Sequence, residues 1–133
     1  MKIAFYSITG QTRRFIQKTG LTAYEINDAD PDHEMGAPYI LVVPAYDDDM
    51  MDAVIDFLGY QSNTRNLVGV AGGGNRNFNE LYIHTAKDIA HGLQVPVVFD
   101  FEFNGTDNDV KNFQKVVEEF ESKQSRHIQS HIL

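Results

Sequence analysis

The sequence predicts a single α/β domain, an open parallel sheet with helices on both faces, in three layers. Three observations carry this. Five apolar runs of strand length lie at 2–6, 22–26, 39–46, 67–72 and 95–103. Segments with helical apolar spacing separate most of them, and alternating strands and helices build a parallel sheet. The third and fourth runs, YILVVPAY and LVGVAG, are too continuously apolar for strands with one wet face, which places them in the middle of the sheet. A chain of 133 residues can close one hydrophobic core, and no composition shift divides it.

The first run, KIAFY, leads through SITGQT into a short helix, TRRFIQKT, which Gly20 stops. The second is TAYEI. Its connection to the third, NDADPDHEMGAP, is acidic, holds two prolines and has no apolar stripe. It is about the dozen residues that a parallel crossover needs, so coil or a single turn is expected in place of a helix. After the third strand, Met51, Val54, Ile55 and Leu58 follow the i, i+3, i+4, i+7 spacing up to Gly59. After the fourth, Leu81, Ala86, Ile89, Ala90 and Leu93 make a second stripe. After the fifth, TDND sets carboxylates at the positive end of a helix whose stripe is Val110, Phe113, Val117 and Phe120. The domain is read as 1–122, with 123–133 as a polar tail or an extension of the last helix.

Composition narrows the chemistry. With no cysteine, disulfides, thiolate nucleophiles and cysteine-held clusters are excluded, so redox chemistry would belong to a bound cofactor. A formal charge of −8 with eleven Lys and Arg argues against nucleic acid, and fits either a basic protein partner or simple solubility. No apolar run approaches the roughly 18 residues that span a bilayer, and MKIAFYS lacks the features of a secretory signal. A cytoplasmic protein without membrane contact is expected.

In an open α/β sheet, ligands bind beyond the carboxyl ends of the strands, where the connections diverge. The loop SITGQT joins a strand to a helix N-terminus, where free backbone N–H groups and the helix dipole favour an anion. Ser7, Thr9 and Thr12 add hydroxyl donors, and Gly10 permits close approach. The alternative is that Ser7 or Thr9 merely caps the helix. Arg13 and Arg14 sit at the wrong end for the dipole, which suits either a neighbouring anion or a partner surface. The loop lacks the lysine of a triphosphate P-loop and the G-x-G-x-x-G of a dinucleotide site, and suits one terminal phosphate. Phe5 and Tyr6 stand where a response-regulator receiver needs acidic residues, and a small tyrosine phosphatase would need a cysteine.

The loop PAYDDDM puts Asp47, Asp48 and Asp49 beside a helix start, where capping or a divalent metal are the two readings. In GGGNRNF, Gly72, Gly73 and Gly74 would let a flat ligand approach the backbone, Asn75 and Asn77 offer amide hydrogen bonds, and Phe78 an aromatic wall. A plain Gly-rich turn is the alternative. His127 and His131 share an i, i+4 spacing but have no third ligand.

SITGQT resembles the flavodoxin phosphate pattern S/T-x-T-G-x-T. Taken with YILVVPAY, GVAGGGNRNF and FEFNGTDNDV, nearly the whole chain resembles the NrdI family, the flavodoxins that accompany class Ib ribonucleotide reductase. The resemblance implies a flavodoxin-like three-layer sandwich with strand order 2-1-3-4-5, a shortened crossover between strands two and three, and an FMN cofactor. Once reduced by an unidentified donor, the FMN would react with O2. Superoxide or a related oxidant would then assemble the dimanganese–tyrosyl radical cofactor of the manganese-containing small subunit. Such a chain is a redox accessory flavoprotein, not a free-standing metabolic enzyme, and its chemistry lies on the flavin.

Carried over residue by residue, the phosphate loop falls on Ser7, Thr9, Gly10, Gln11 and Thr12. The ring contacts fall on Pro44, Ala45, Tyr46 and Asp47 and on Gly73, Gly74, Asn75, Arg76, Asn77 and Phe78. Glu102, Gly105, Thr106 and Asp109 match a further motif, read as structural or partner-facing. The chain departs from the family where members commonly place glycines after the middle-loop tyrosine or threonine, so that a peptide can flip toward the flavin N5; here the loop reads YDDDM. One carboxylate ~7 Å from a flavin gaining charge would oppose it by about 2 kcal/mol at an effective dielectric of ~20, before salt screening. A general one-electron flavodoxin and a non-redox protein that binds a phosphorylated ligand are the alternatives.

Overall fold

The computed structural model describes the backbone of residues 1–132 and every side chain of that span except those at position 48 and from 125 onward. His127 and His131 therefore lie outside the described side chains. The order is β1 (Lys2–Phe5), α1 (Gln11–Thr19), β2 (Tyr24–Glu25), β3 (Tyr39–Pro44), α2 (Asp52–Leu58), α3 (Asn63–Asn66), β4 (Leu67–Gly74), α4 (His84–Leu93), β5 (Val97–Glu102) and α5 (Asp107–Ile132). The five strands form one parallel sheet, ordered β2-β1-β3-β4-β5.

Alternation along the central strands divides the interior into two cores. Ile3, Phe5, Ile40, Val42, Ala71 and Phe101 face the layer of α1 and α5, against Phe15, Ile16, Val110, Phe113 and Val117. Ala4, Tyr6, Leu41, Val43 and Val70 face the other layer, against Val54, Phe57, Leu58, Ala86 and Ala90. Both faces of β1, β3 and β4 are thus covered, which is why their sequences show no polar alternation. The Phe15 ring stacks on Phe101 at 3.9 Å and meets Phe113 edge-on at 5.4 Å, locking α1 and α5 onto the sheet.

Several local expectations are corrected. The stripe on α2 buries Val54 and Leu58, with Met51 just before it, but Phe57 takes the inward place expected of Ile55, which is 59% exposed. Leu81 precedes α4 and faces out, and the short α3 has no counterpart in the apolar spacing. The largest correction concerns the glycines. Gly72, Gly73 and Gly74 are not a loop but the end of β4, paired with Asp100, Phe101 and Glu102 of β5. A Cβ on Gly72 would lie 2.8 Å from the Ala86 Cβ, and one on Gly74 only 1.6 Å from the Tyr82 carbonyl oxygen. The absence of side chains therefore serves the packing of α4 and the chain before it, not only a ligand.

The crossover from β2 to β3 is coil, as its sequence suggests. A buried amide substitutes for the missing helix. Asn63 has no exposed surface; its Oδ1 accepts from the Met35 N–H at 2.9 Å, and its Nδ2 donates to the carbonyls of His33 and Phe57 at 2.7 and 2.8 Å. The Tyr39 hydroxyl donates to the Asn63 carbonyl at 2.8 Å. Tyr24 stacks on His33 at 3.8 Å, and Met35 is buried beneath.

Candidate functional site

Three connections meet at the carboxyl edge of the sheet around a cavity of about 430 Å³. This lies in the range of small-molecule sites, roughly 300–1,000 Å³. Thr9, Gln11 and Thr12 line it from the first connection, Pro44, Ala45, Tyr46 and Asp47 from the second, and Gly73, Gly74, Asn75 and Phe78 from the third.

The first connection turns on Gly10, whose φ of 91° lies in the left-handed region that favours glycine. As the N-cap of α1 it has no side-chain oxygen, and the side-chain cap from Ser7 takes only the Arg13 N–H, so the N–H groups of Gln11 and Thr12 stay available to an anion. Ser7 does not line the cavity; its Oγ accepts from the Arg13 N–H at 3.3 Å, inside the first turn of α1. Arg13 is not free to balance a ligand. Its guanidinium makes a two-pronged pair with Glu25 of β2, at 2.7 and 2.8 Å, and this hydrogen bonding holds the Glu25 carboxyl below the usual carboxylate range against the opposing effect of burial.

In the second connection, Asp47 lines the cavity, whereas Asp49 is exposed and does not. Asp48–Met50 form a 3₁₀ turn. Among the described residues, which leave out the Asp48 side chain, no group of three or more His, Asp or Glu side chains could hold a metal ion. The Tyr6 hydroxyl donates to the Asp28 carboxylate and lies 3.4 Å from the Met50 carbonyl, joining the acidic turn to the coil crossover. Burial first, then the Asp28 hydrogen bond and the charges of Asp28 and Asp52, push the Tyr6 pKa up to about 12.

The third connection begins with Asn75, whose Oδ1 accepts from the Asn77 N–H at 2.9 Å. Arg76 and Asn77 do not line the cavity. Arg76 folds over the end of β5, pairing with Glu102 at 2.8 Å and Asp100 at 3.3 Å, with its guanidinium 4.9 Å above the Tyr82 ring. The Tyr82 hydroxyl donates to Asp100 at 3.0 Å, and burial, followed by that bond, pushes its pKa up to about 12. Asn79 adopts φ 52°, ψ −113°, a combination that suits glycine.

Glu102, Gly105, Thr106 and Asp109 have structural duties. Glu102 anchors Arg76. Thr106 and Asp109 form a reciprocal cap on α5, at 2.9 and 3.1 Å, and a Cβ on Gly105 would press to 2.6 Å from Phe15.

Three further residues line the cavity: Leu81, His84 and Phe103. Leu81 resembled part of a helix stripe, Phe103 the end of a strand, and a lone histidine carries no motif. Phe78, Leu81 and Phe103 are 63, 58 and 52% exposed, an apolar rim at odds with the usual fate of large side chains. A helix N-terminus with glycine at its N-cap at one side and an apolar wall at the other fit a ligand with one phosphate and a planar ring.

The NrdI flavodoxin-like family model matches residues 3–115. The chain belongs to the NrdI family. Protein NrdI of Bartonella tribocorum is 40% identical over 124 residues, covering 89% of this chain and 94% of that protein. Protein NrdI of Cronobacter sakazakii is 40% identical over 128 residues, covering 92% and 96%. Among solved structures, a short-chain flavodoxin associated with a bacterial microcompartment superposes with a TM-score of 0.63 at 18% identity, covering 88% of this chain and 93% of the other, and shows the shared fold. NrdI membership implies a flavin cofactor and a ribonucleotide reductase partner. Among the described residues, no helix is long and apolar enough to cross a membrane.

Proposed function

We propose that the cavity holds FMN and that the loaded chain supplies oxidant, made from O2, to the manganese-containing small subunit of class Ib ribonucleotide reductase. Like other NrdI proteins, the chain is the flavodoxin that activates that reductase. The observation that carries the FMN assignment is the start of α1, with glycine at its N-cap, opening into the same cavity as the two ring-side connections. Thr9, Gln11 and Thr12 would hold the phosphate with the N–H groups of that turn. Tyr46, Asp47, Asn75 and Phe78 would orient the ring, and Leu81 and Phe103 would limit water at its edge. Bound FMN supplies the electron transfer, including transfer to dioxygen. Asp47 places a negative charge on the cavity wall, and the acidic total suits a basic partner surface in the cytoplasm.

The phosphate cradle is tested by the affinities of FMN and riboflavin for the parent chain and Thr9→Val. Removing one hydrogen bond to a charged acceptor costs about 1.5–3 kcal/mol, so FMN should weaken roughly tenfold to a hundredfold while riboflavin is unchanged. Equal losses for both ligands, or none, would refute the cradle. The partner assignment is tested by reducing the loaded chain beside the manganese small subunit, adding O2 and reading the tyrosyl radical by electron paramagnetic resonance. A radical that forms equally well without the chain overturns it.

A further inference from the structure

His84 opens α4 and lines the cavity. Its ring stands between the connection after β3 and the connection after β4. Nε2 lies 2.9 Å from the Tyr46 carbonyl oxygen, in the loop after β3, and Nδ1 lies 2.9 Å from the Leu81 carbonyl oxygen, after β4. Next to it Thr85, only 5% exposed, binds the same Tyr46 backbone twice: its hydroxyl accepts from the Tyr46 N–H and donates to the Tyr46 carbonyl, both at 3.2 Å. Both polar backbone groups of Tyr46 are therefore committed to Thr85, and the carbonyl oxygen also has the His84 Nε2 at hydrogen-bond distance.

We propose that His84 is a positioning residue of the flavin pocket that acts as a proton-dependent clamp: its imidazolium ties the Tyr46 carbonyl to the Leu81 carbonyl and so fixes the backbone at Tyr46 and Asp47 on the cavity wall. The consequence for flavin rests on the FMN reading above; the clamp does not. A neutral imidazole carries one N–H and can serve one of two carbonyls. At the other nitrogen a lone pair would then confront a carbonyl oxygen at 2.9 Å, a repulsive contact. Losing the proton thus opens one side of the bridge. Tyr46 keeps its Thr85 contacts, so the loop loosens without being released.

Other charges bear on the same ring. Asp47 and Asp49 lie on the loop after β3, Glu80 on the turn before α4, and Lys87 and Asp88 one turn along α4 itself.

The test follows the cofactor-free chain by NMR from about pH 5.5 to about pH 8.5, a range in which histidines commonly titrate. The His84 ring nitrogens and the backbone amides of Tyr46, Asp47 and Tyr82 should change with one midpoint. In His84→Gln, which cannot change charge, and in His84→Leu, that amide titration should disappear. Amides that titrate in the variants as in the parent, or independently of the ring, overturn the proposal. With FMN added, parent affinity should vary with pH at least roughly threefold more than that of His84→Leu, because titration of the FMN phosphate is common to both. Parallel pH profiles overturn the flavin consequence. A parent chain that binds no FMN would instead refute the cofactor reading and leave the amide result standing.

Discussion

Replacing Asn63 by Ala should show how a chain without a crossover helix between β2 and β3 keeps that side of the sheet closed. The substitution removes three hydrogen bonds, to the Met35 N–H and to the carbonyls of His33 and Phe57, from a residue with no exposed surface. At roughly 1 kcal/mol per bond, with part of a further desolvation cost for the orphaned Met35 N–H, the loss comes to about 3–4 kcal/mol. With about 2.1 cal/mol/K of unfolding entropy per residue, 133 residues give roughly 0.28 kcal/mol/K, so Tm should fall by about 10–14 °C. Thermal unfolding followed by circular dichroism measures the fall, and hydrogen exchange at Met35 locates it. Asn66→Ala is the control: Asn66 makes one side-chain bond, to Ser62 at 3.1 Å, and should cost under about 1 kcal/mol. If the two variants melt within a few degrees of each other, the coil is held by its apolar contacts, and the reasoning about Asn63 is wrong.

Two further outcomes are expected. Asn79→Gly should raise Tm by roughly 3–4 °C, because relief of a strained backbone, worth about 1–3 kcal/mol, exceeds the extra freedom that glycine gives the unfolded chain. A variant that melts at or below the parent temperature would show the φ of 52° to be relaxed. Asp47→Asn should raise the reduction potential of bound flavin by roughly 20–60 mV after solvent screening, while Asp49→Asn should change it far less, since Asp47 alone of the two lines the cavity. Equal shifts in spectroelectrochemical titration would mean that the loop acts as a diffuse charge.

The continuously apolar YILVVPAY and LVGVAG marked buried central strands because burial on both faces erases polar alternation. The hydroxyls around Gly10 pointed to this edge of the cavity, which Thr9 and Thr12 line, because a strand-to-helix turn exposes backbone donors wherever it occurs. Arg13 and Arg76 misled: an arginine beside a candidate ligand looks like its partner, yet each found carboxylates supplied by other strands, Glu25 and the pair of Asp100 and Glu102. Gly72 and Gly74 misled for a related reason, since a glycine required by a neighbouring helix reads the same as one required by a ligand.

The sequence by itself determined the parallel three-layer architecture, the helix-free crossover and the strand-to-helix turn at Gly10 that borders the cavity, all of which depend on periodicity and local backbone chemistry. Only the tertiary structure decided which side chains face the cavity. Leu81 and His84 arrive there from the connection between β4 and α4 and Phe103 from the one after β5, and Asp47 is distinguished from Asp49 only by the path of one 3₁₀ turn. Proximity between residues distant in the chain is a property of the packed sheet, and no spacing within a single loop encodes it.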